Sequence, residues 1–486
     1  MLTSKHVAIY RQDAARYSSN PPYHPPESYP EYPFQTSSDP TNNAYRSVRD
    51  ALFLLGMDRD NYGKASWNPL GALINPGDTV LLKPNLIAHS HMYTDEWKHV
   101  ITHGSVIRAV LDYVYIALAG QGKVVIADAP QTDSKMDLIK ERVGINDIQE
   151  LYWKEKKFEI SFVDLRDEHW VMKDGVCVET VKLPGDPLGN ARVNLAHDSF
   201  LAEQDHLKKR YYGAFYDVAE TNEHHSNGVH EYMISRTALE SDVFINLPKL
   251  KTHKKVGVTL NLKNLVGING NKNWLPHYAL GSPAENGDQF PSATTKGKLE
   301  NSLVLSAKRL LLARSPLVSL AARKLKGVGY AVFGGTEEVV RSGNWYGNDT
   351  CWRMTLDLNR ILLYANPDGT FRTTPKRYFS VIDGIQAMEG NGPVAGTPKD
   401  AGLIVAGHNP PAVDVVCARL MGLDYRKIPM LDHAFGETKY PFALFTPDAI
   451  RIVSNEKALQ GGLLDLPCNP TTQFDTHFGW KGHVEL

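Results

Sequence analysis

Cysteine is scarce in this chain. The four residues, Cys177, Cys351, Cys417 and Cys468, lie far apart in sequence and form no CxxC pair. That spacing excludes zinc ribbons, dithiol redox motifs and ferredoxin-type ligation, so no iron–sulfur cluster is expected. So low a count also suits a reducing compartment. Neither sign of charge prevails. Lys and Arg number 53 against 54 Asp and Glu, which removes the global electrostatic footprint of a nucleic-acid-binding protein. No uninterrupted apolar run reaches the length of a membrane span. The opening residues MLTSKHVAIYRQDAARY lack the apolar stretch of a signal peptide, so a cytoplasmic location is expected. No GxGxxG, P-loop or GxSxG motif occurs, and the common nucleotide-binding and serine-hydrolase chemistries have no local signature.

Hydrophobic residues make up 42% of the 486 positions, enough for a sizeable core. Their spacing predicts strands at 5–10, 78–84, 123–130, 159–164, 242–247, 256–262, 377–382 and 401–406. Helical spacing marks 44–56, 104–119, 301–326, 353–364 and 410–421, with Ser105 expected to cap the second of these. Strand, helix and strand over 78–130 make a βαβ unit, whose strands run parallel. The fold class expected is α/β: a largely parallel or mixed sheet flanked by helices, with insertions. Residues 1–45 would hold a first strand and a Pro-rich arm, SNPPYHPPESYPEYPFQTSSDP, read as a surface connector. Residues 46–268 would be the first part of the core, 269–376 an insertion, 377–440 the second part and 441–486 a C-terminal extension.

Five of these strands stop at polar residues: Lys83-Pro84-Asn85, Asp128, Pro248-Lys249, Asp383-Gly384 and Gly407-His408-Asn409. Ligands of open α/β sheets sit beyond the carboxyl ends of the strands. If all five run parallel, these residues share one edge and form one site.

The stretches VLLKPNL (80–86), VVIADAP (124–130), LPKLKTHKKVGVTLNLKNLVGI (247–268) and VIDGIQAMEGNGPVAGTPKDAGLIVAGHNPPAVDVVCARLMG (381–422) resemble the domain of unknown function 362 family. Some members of that family carry a ferredoxin-like module. The cysteine spacing here departs from that branch, which argues against an electron-transfer role. With GNWYGNDTCWRMTLDLN (343–359), the chain looks like long members found beside surface-polysaccharide genes. That resemblance implies a pathway and no particular reaction.

The chemistry concentrates in a few places. Lys249, Lys251, His253, Lys254, Lys255 and Lys263 form the densest positive charge in the chain. Lysines after a strand hold phosphate or carboxylate as point charges. With Lys83, Asn85, Asn264 and His408, Lys249, Lys251 and Lys263 are expected to bind an anionic substrate. His253, Asp383 and Glu389 are the candidate proton-transfer groups, His253 because neighbouring lysines favour its neutral form. Asp383 and Glu389 flank a glycine-rich loop, Gly390–Gly396, able to bring N–H groups close to a ligand. A divalent metal on Asp128, Asp383 and Asp414 is an option, since hard cations take carboxylate oxygens. For Asp414, a capping role in the first turn of its helix is the alternative. His89, His91, His99, His103 and the pair His224-His225 lack a defined third metal ligand and read better as polar loop positions. Residues 302–326 carry six basic and no acidic residues among aliphatic ones, as in helices that lie on an anionic membrane surface. A peripheral contact with an inner membrane surface through this segment is therefore expected, against the alternative of a helical pair packed on its own domain. The leading function is an enzyme acting on an anionic small molecule or a phosphorylated glycan precursor. A non-catalytic ligand-binding or assembly protein of such a pathway is the alternative, and a redox protein is disfavoured.

Overall fold

Runs of β-branched and apolar residues set the frame. The computed structural model describes residues 1–35, 37–173, 176–213, 217–292, 339–467 and 473–486. Among these, eleven strands join one mixed sheet: β1 (His6–Arg11), β2 (Thr79–Pro84), β3 (Lys123–Asp128), β4 (Ile160–Asp164), β5 (Val243–Leu247), β6 (Lys249–His253), β7 (Gly257–Thr259), β8 (Arg377–Glu389), β9 (Thr397–Gly407), β10 (Arg451–Ser454) and β11 (Gly461–Gly462). Their order is β11-β10-β1-β9-β8-β5-β2-β3-β4, and β6 pairs with β7 and β8. Strands β8, β5, β2, β3 and β4 are mutually parallel. The expected βαβ unit is present, with α2 (Gly104–Leu118) joining β2 to β3.

Side chains of a strand alternate between faces, and β2 shows the result. Val80 and Leu82 join one apolar cluster with α1 (Asn43–Leu54) and α2, whereas Leu81 joins another with α6 (Cys351–Tyr364) and α7 (Pro410–Leu420). The three short helices between α2 and α6 that matter here are α3 (Met136–Arg142), α4 (Ile145–Lys156) and α5 (Asn261–Asn264). The sheet is thus covered on both faces, as parallel strands require. Strand β1 and strands β10 and β11 belong to the same sheet, so both ends of the described chain contribute to it.

Several expectations change. The Pro-rich arm is no surface connector: Tyr23, Tyr29 and Phe34 are buried in the cluster around α1 and α2, because its aromatic residues supply the apolar area its prolines lack. Cap of α2 is His103, whose Nδ1 accepts from the Ser105 N–H at 3.1 Å. Residues 256–262 are not one strand. β7 ends at Thr259 and α5 begins at Asn261. Most consequential, β9 runs antiparallel to β8, with Gly407 opposite Ser380. Residues 302–326 and Cys468 lie outside the described residues. Among the described residues no helix is long and apolar enough to cross a membrane.

Buried histidines make stability depend on pH. Burial pulls His408 down to about 4 and His225 to about 3, against about 6.5 in an unfolded chain. Below pH 6.5 the unfolded chain takes up protons that the folded one refuses. The stability is therefore full above about pH 6.5 and is lost as pH falls towards 4, by up to about 1.4 kcal/mol per pH unit for each histidine. Urea unfolding at pH 7 and pH 5 should show this loss, and His408→Gln should reduce it. An unchanged pH slope in that variant would contradict the assignment.

Candidate functional site

The site begins with a strand interrupted by proline. After β5, Pro248 turns the chain into β6, which lies beside β8 with Lys249 opposite Asp383 and Lys251 opposite Met388. The two-residue period places Lys249, Lys251 and His253 on one side of β6. The chain then turns through β7 into α5, which carries Lys263 and Asn264. Asp414, on α7, fixes the start of α5: its carboxylate accepts from the Asn261 N–H, the Asn261 Nδ2 and the Leu262 N–H, each at 2.9 Å. Asp414 therefore caps α5 across the fold, while Asn409 caps α7 itself. Burial pushes the Asp414 carboxyl up to about 7 against those three donors.

Beneath the site lies an ion pair. Lys83 Nζ stands 2.7 Å from Asp128 Oδ1, with both side chains almost fully buried. Asp128 also accepts from the N–H groups of Leu86 (2.7 Å) and Ala129 (2.8 Å). Lys83 donates further to the Pro84 carbonyl at 3.0 Å and to Asn264 Oδ1 at 3.3 Å. Asn85 Nδ2 donates to the same Asn264 oxygen at 3.0 Å, and Asn85 Oδ1 accepts from Lys251 Nζ at 3.1 Å. Lys251 also donates to the carbonyls of Val100 and Pro393. A second buried network holds Lys249 2.9 Å from Asp383, whose other oxygen accepts from Tyr17 OH at 2.5 Å. The His103 N–H completes it at 2.9 Å.

Above these networks opens a cavity of about 540 Å³. Lys251, Lys254, Lys255, Lys263 and Lys272 line it, together with His253, His277, Asn85, Asn264 and Asp128. Lys263 is 7% exposed. Its ammonium has no hydrogen-bond or ion-pair partner among the described residues, and burial lowers its pKa. Burial drives His253 well below the usual imidazole range, and Lys263, Lys254, His277 and Lys255 reinforce it. His277 is lowered likewise, by burial and then by Lys263 and Lys255. Both rings are neutral near pH 7, and their backbone contacts set opposite tautomers. His253 Nδ1 accepts from the Lys255 N–H at 3.0 Å, so its proton is on Nε2. His277 Nδ1 donates to the Leu275 carbonyl at 2.8 Å, so its Nε2 holds a lone pair. The pair therefore includes one donor and one acceptor. Lys272 donates to the carbonyls of Ala129, Val266 and Asn269, while burial pulls its pKa down to about 7.

Of the residues named from sequence, Asn85, Asp128, Lys251, His253, Lys263 and Asn264 line the cavity. Lys83 supports it through Asp128. Lys249 and Asp383 form the separate Tyr17 network and do not line it. Glu389 is not brought to the cavity: it pairs with Lys399 at 2.9 Å and accepts from the Asp475 N–H. Nor is His408. Because β9 is antiparallel, His408 follows the end of that strand at the opposite edge of the parallel strands, with its ring against Phe379. Asp128, Asp383 and Asp414 do not converge on a shared metal position. Each is occupied by N–H or hydroxyl donors, and no group of three His, Cys, Asp or Glu able to hold a metal ion occurs among the described residues. Lys272, His277 and Tyr278 were not foreseen, since they fall in the stretch read as an insertion. The mixture of Lys and His with Trp, Leu and Tyr in NGNKNWLPHYAL (269–280) is the signal that could have found them.

Comparison with known proteins gives a family. The model of a family described as "Domain of unknown function (DUF362)" matches residues 80–197 and 202–419. A thylakoid-associated protein of Synechocystis sp. is 23% identical over 363 residues, covering 74% of this chain and 68% of that protein. A Thermotoga maritima protein of known crystal structure aligns at 11% identity with a TM-score of 0.33, over 77% of this chain. The chain spans 58% of that protein's length.

Proposed function

The chain belongs to the domain of unknown function 362 family, whose description prescribes no reaction, and we propose from the site itself that it binds an anionic small molecule and transfers a proton to or from it. One observation carries this reading: Lys263 is a nearly buried ammonium, without a partner among the described residues, on the wall of a cavity that four further lysines line. A buried cation left unpaired in the free protein costs stability, and an incoming anion supplies the missing partner. Lys263, Lys254 and Lys255 would hold the anion. The His253 Nε2–H would donate a proton and the His277 Nε2 lone pair would accept one, both neutral near pH 7 and so both ready for these roles. A phosphorylated glycan precursor is the finer substrate reading, in keeping with the resemblance to long family members. The name of the cyanobacterial relative accords with work at a membrane surface by a cytoplasmic protein.

Isothermal titration with inorganic phosphate tests the binding step. Saturable binding that weakens by roughly 10- to 100-fold in Lys263→Met is expected, and equal affinity in both proteins would contradict the reading. Turnover is tested by untargeted metabolite comparison between a deletion strain and its parent. Accumulation of an anionic metabolite supports an enzyme, and an unchanged profile supports a binding protein.

A further inference from the structure

The cavity is not cationic throughout. Its lysines and both histidines come from β6, the 254–255 turn, α5 and the 272–277 segment. Lys263 and Lys255 act on both His253 and His277, so these groups form one cluster. Apolar lining comes from other elements: Ile87 after β2, Pro130 after β3, and Trp170 and Met172 from the strand Glu168–Lys173. Hydrogen bonds tie these together. The Trp170 N–H donates to the Thr132 carbonyl at 2.9 Å, and the Gln131 N–H to the Ile87 carbonyl at 2.8 Å. Trp170 Nε1 donates to Glu168 at 2.7 Å, which fixes the indole. Besides Asp128, which is paired with Lys83, the segment after β3 contributes to the lining Asp133, whose carboxylate repels a second anionic group from that side.

Gln131 and Thr132 are polar positions beside this lining, but the apolar side chains of Ile87, Pro130, Trp170 and Met172 give an inorganic ion nothing to bind. They do bury apolar area of a larger ligand. Several lysines converging on one cluster match the double charge of a phosphate monoester better than a single carboxylate. We propose that the cavity takes a phosphate monoester with an uncharged apolar substituent, its phosphate at the Lys263 cluster and its substituent along Ile87, Trp170 and Met172. This rests on the anion-site reading above and adds the class of ligand. Flexible Met172 suits an aliphatic chain, and the indole suits either a chain or a ring.

The test compares inorganic phosphate, hexyl phosphate and phenyl phosphate by isothermal titration on the intact protein. Hexyl or phenyl phosphate should bind at least about tenfold more tightly than phosphate, the effect of burying roughly two methylene groups. The ratio of the two esters separates a chain from a stacked ring. In Trp170→Ala/Met172→Ala the advantage of the esters over phosphate should collapse. Ile87→Ala, on another element, should reduce it if the double variant does not fold. Esters that bind no better than phosphate, while phosphate binding still depends on Lys263, would overturn this inference and leave the anion site standing. Failure of all three ligands to bind would overturn the anion site as well.

Discussion

Lys263→Met should lower the affinity for phosphate by roughly 10- to 100-fold, the scale of a hydrogen bond to a charged group, and should raise thermal stability at the same time. The two effects have one cause. In the free protein the Lys263 ammonium is nearly buried, and no hydrogen bond or ion pair offsets its lost hydration among the described residues. Methionine keeps the length and apolar stem of lysine and removes the charge, so the folded state is relieved of an unpaired ion. A residue retained for packing would behave in the opposite way, since its replacement would cost stability and leave ligand binding alone. Differential scanning calorimetry with and without phosphate separates these cases. A Lys263→Met protein with a lower melting temperature and unchanged phosphate affinity would refute the assignment.

Asp128→Ala should be the most damaging single change, costing about 3–5 kcal/mol in urea unfolding. It strands the Lys83 ammonium in the interior and leaves the Leu86 and Ala129 N–H groups without their acceptor. Adding Lys83→Met should recover only part of the loss, because those two donors stay unsatisfied. Gly267 gives an independent route to the same pair. A Cβ at this position would lie 1.9 Å from Asp128 Oδ1 and 2.7 Å from Lys83 Nζ. Gly267→Ala must therefore push the chain off the ion pair, at about 1–3 kcal/mol. Wild-type stability in Gly267→Ala would mean that the pair tolerates displacement and does not set the floor of the cavity.

Local sequence revealed what local forces decide. The β2-α2-β3 unit was legible because its apolar runs are long and Gly120 and Gly122 separate helix from strand. Asp128 and Lys263 were recognisable as charges set against apolar runs, and they do line one cavity. What depended on long-range pairing was not legible. The direction of β9 is fixed by its pairing with both β1 and β8, and nothing within residues 401–406 encodes it, so His408 was assigned to the wrong edge. Asp414 looked like a cap of its own helix, and its true partner lies more than 150 residues earlier in the chain. The Pro-rich arm resembles a connector, because composition alone does not show that Tyr23, Tyr29 and Phe34 pack into the core around α1 and α2. His277 escaped notice because its role comes from neighbours that the fold supplies.

The central claim is that an anion completes the cavity at Lys263. Crystals soaked in arsenate, a phosphate analogue with strong anomalous scattering, test it most directly. The account predicts an anomalous peak within hydrogen-bond distance of Lys263 Nζ, beside His253 and His277, and none in Lys263→Met crystals. An empty cavity in the wild-type protein at saturating arsenate, or a peak unaffected by Lys263→Met, would contradict it.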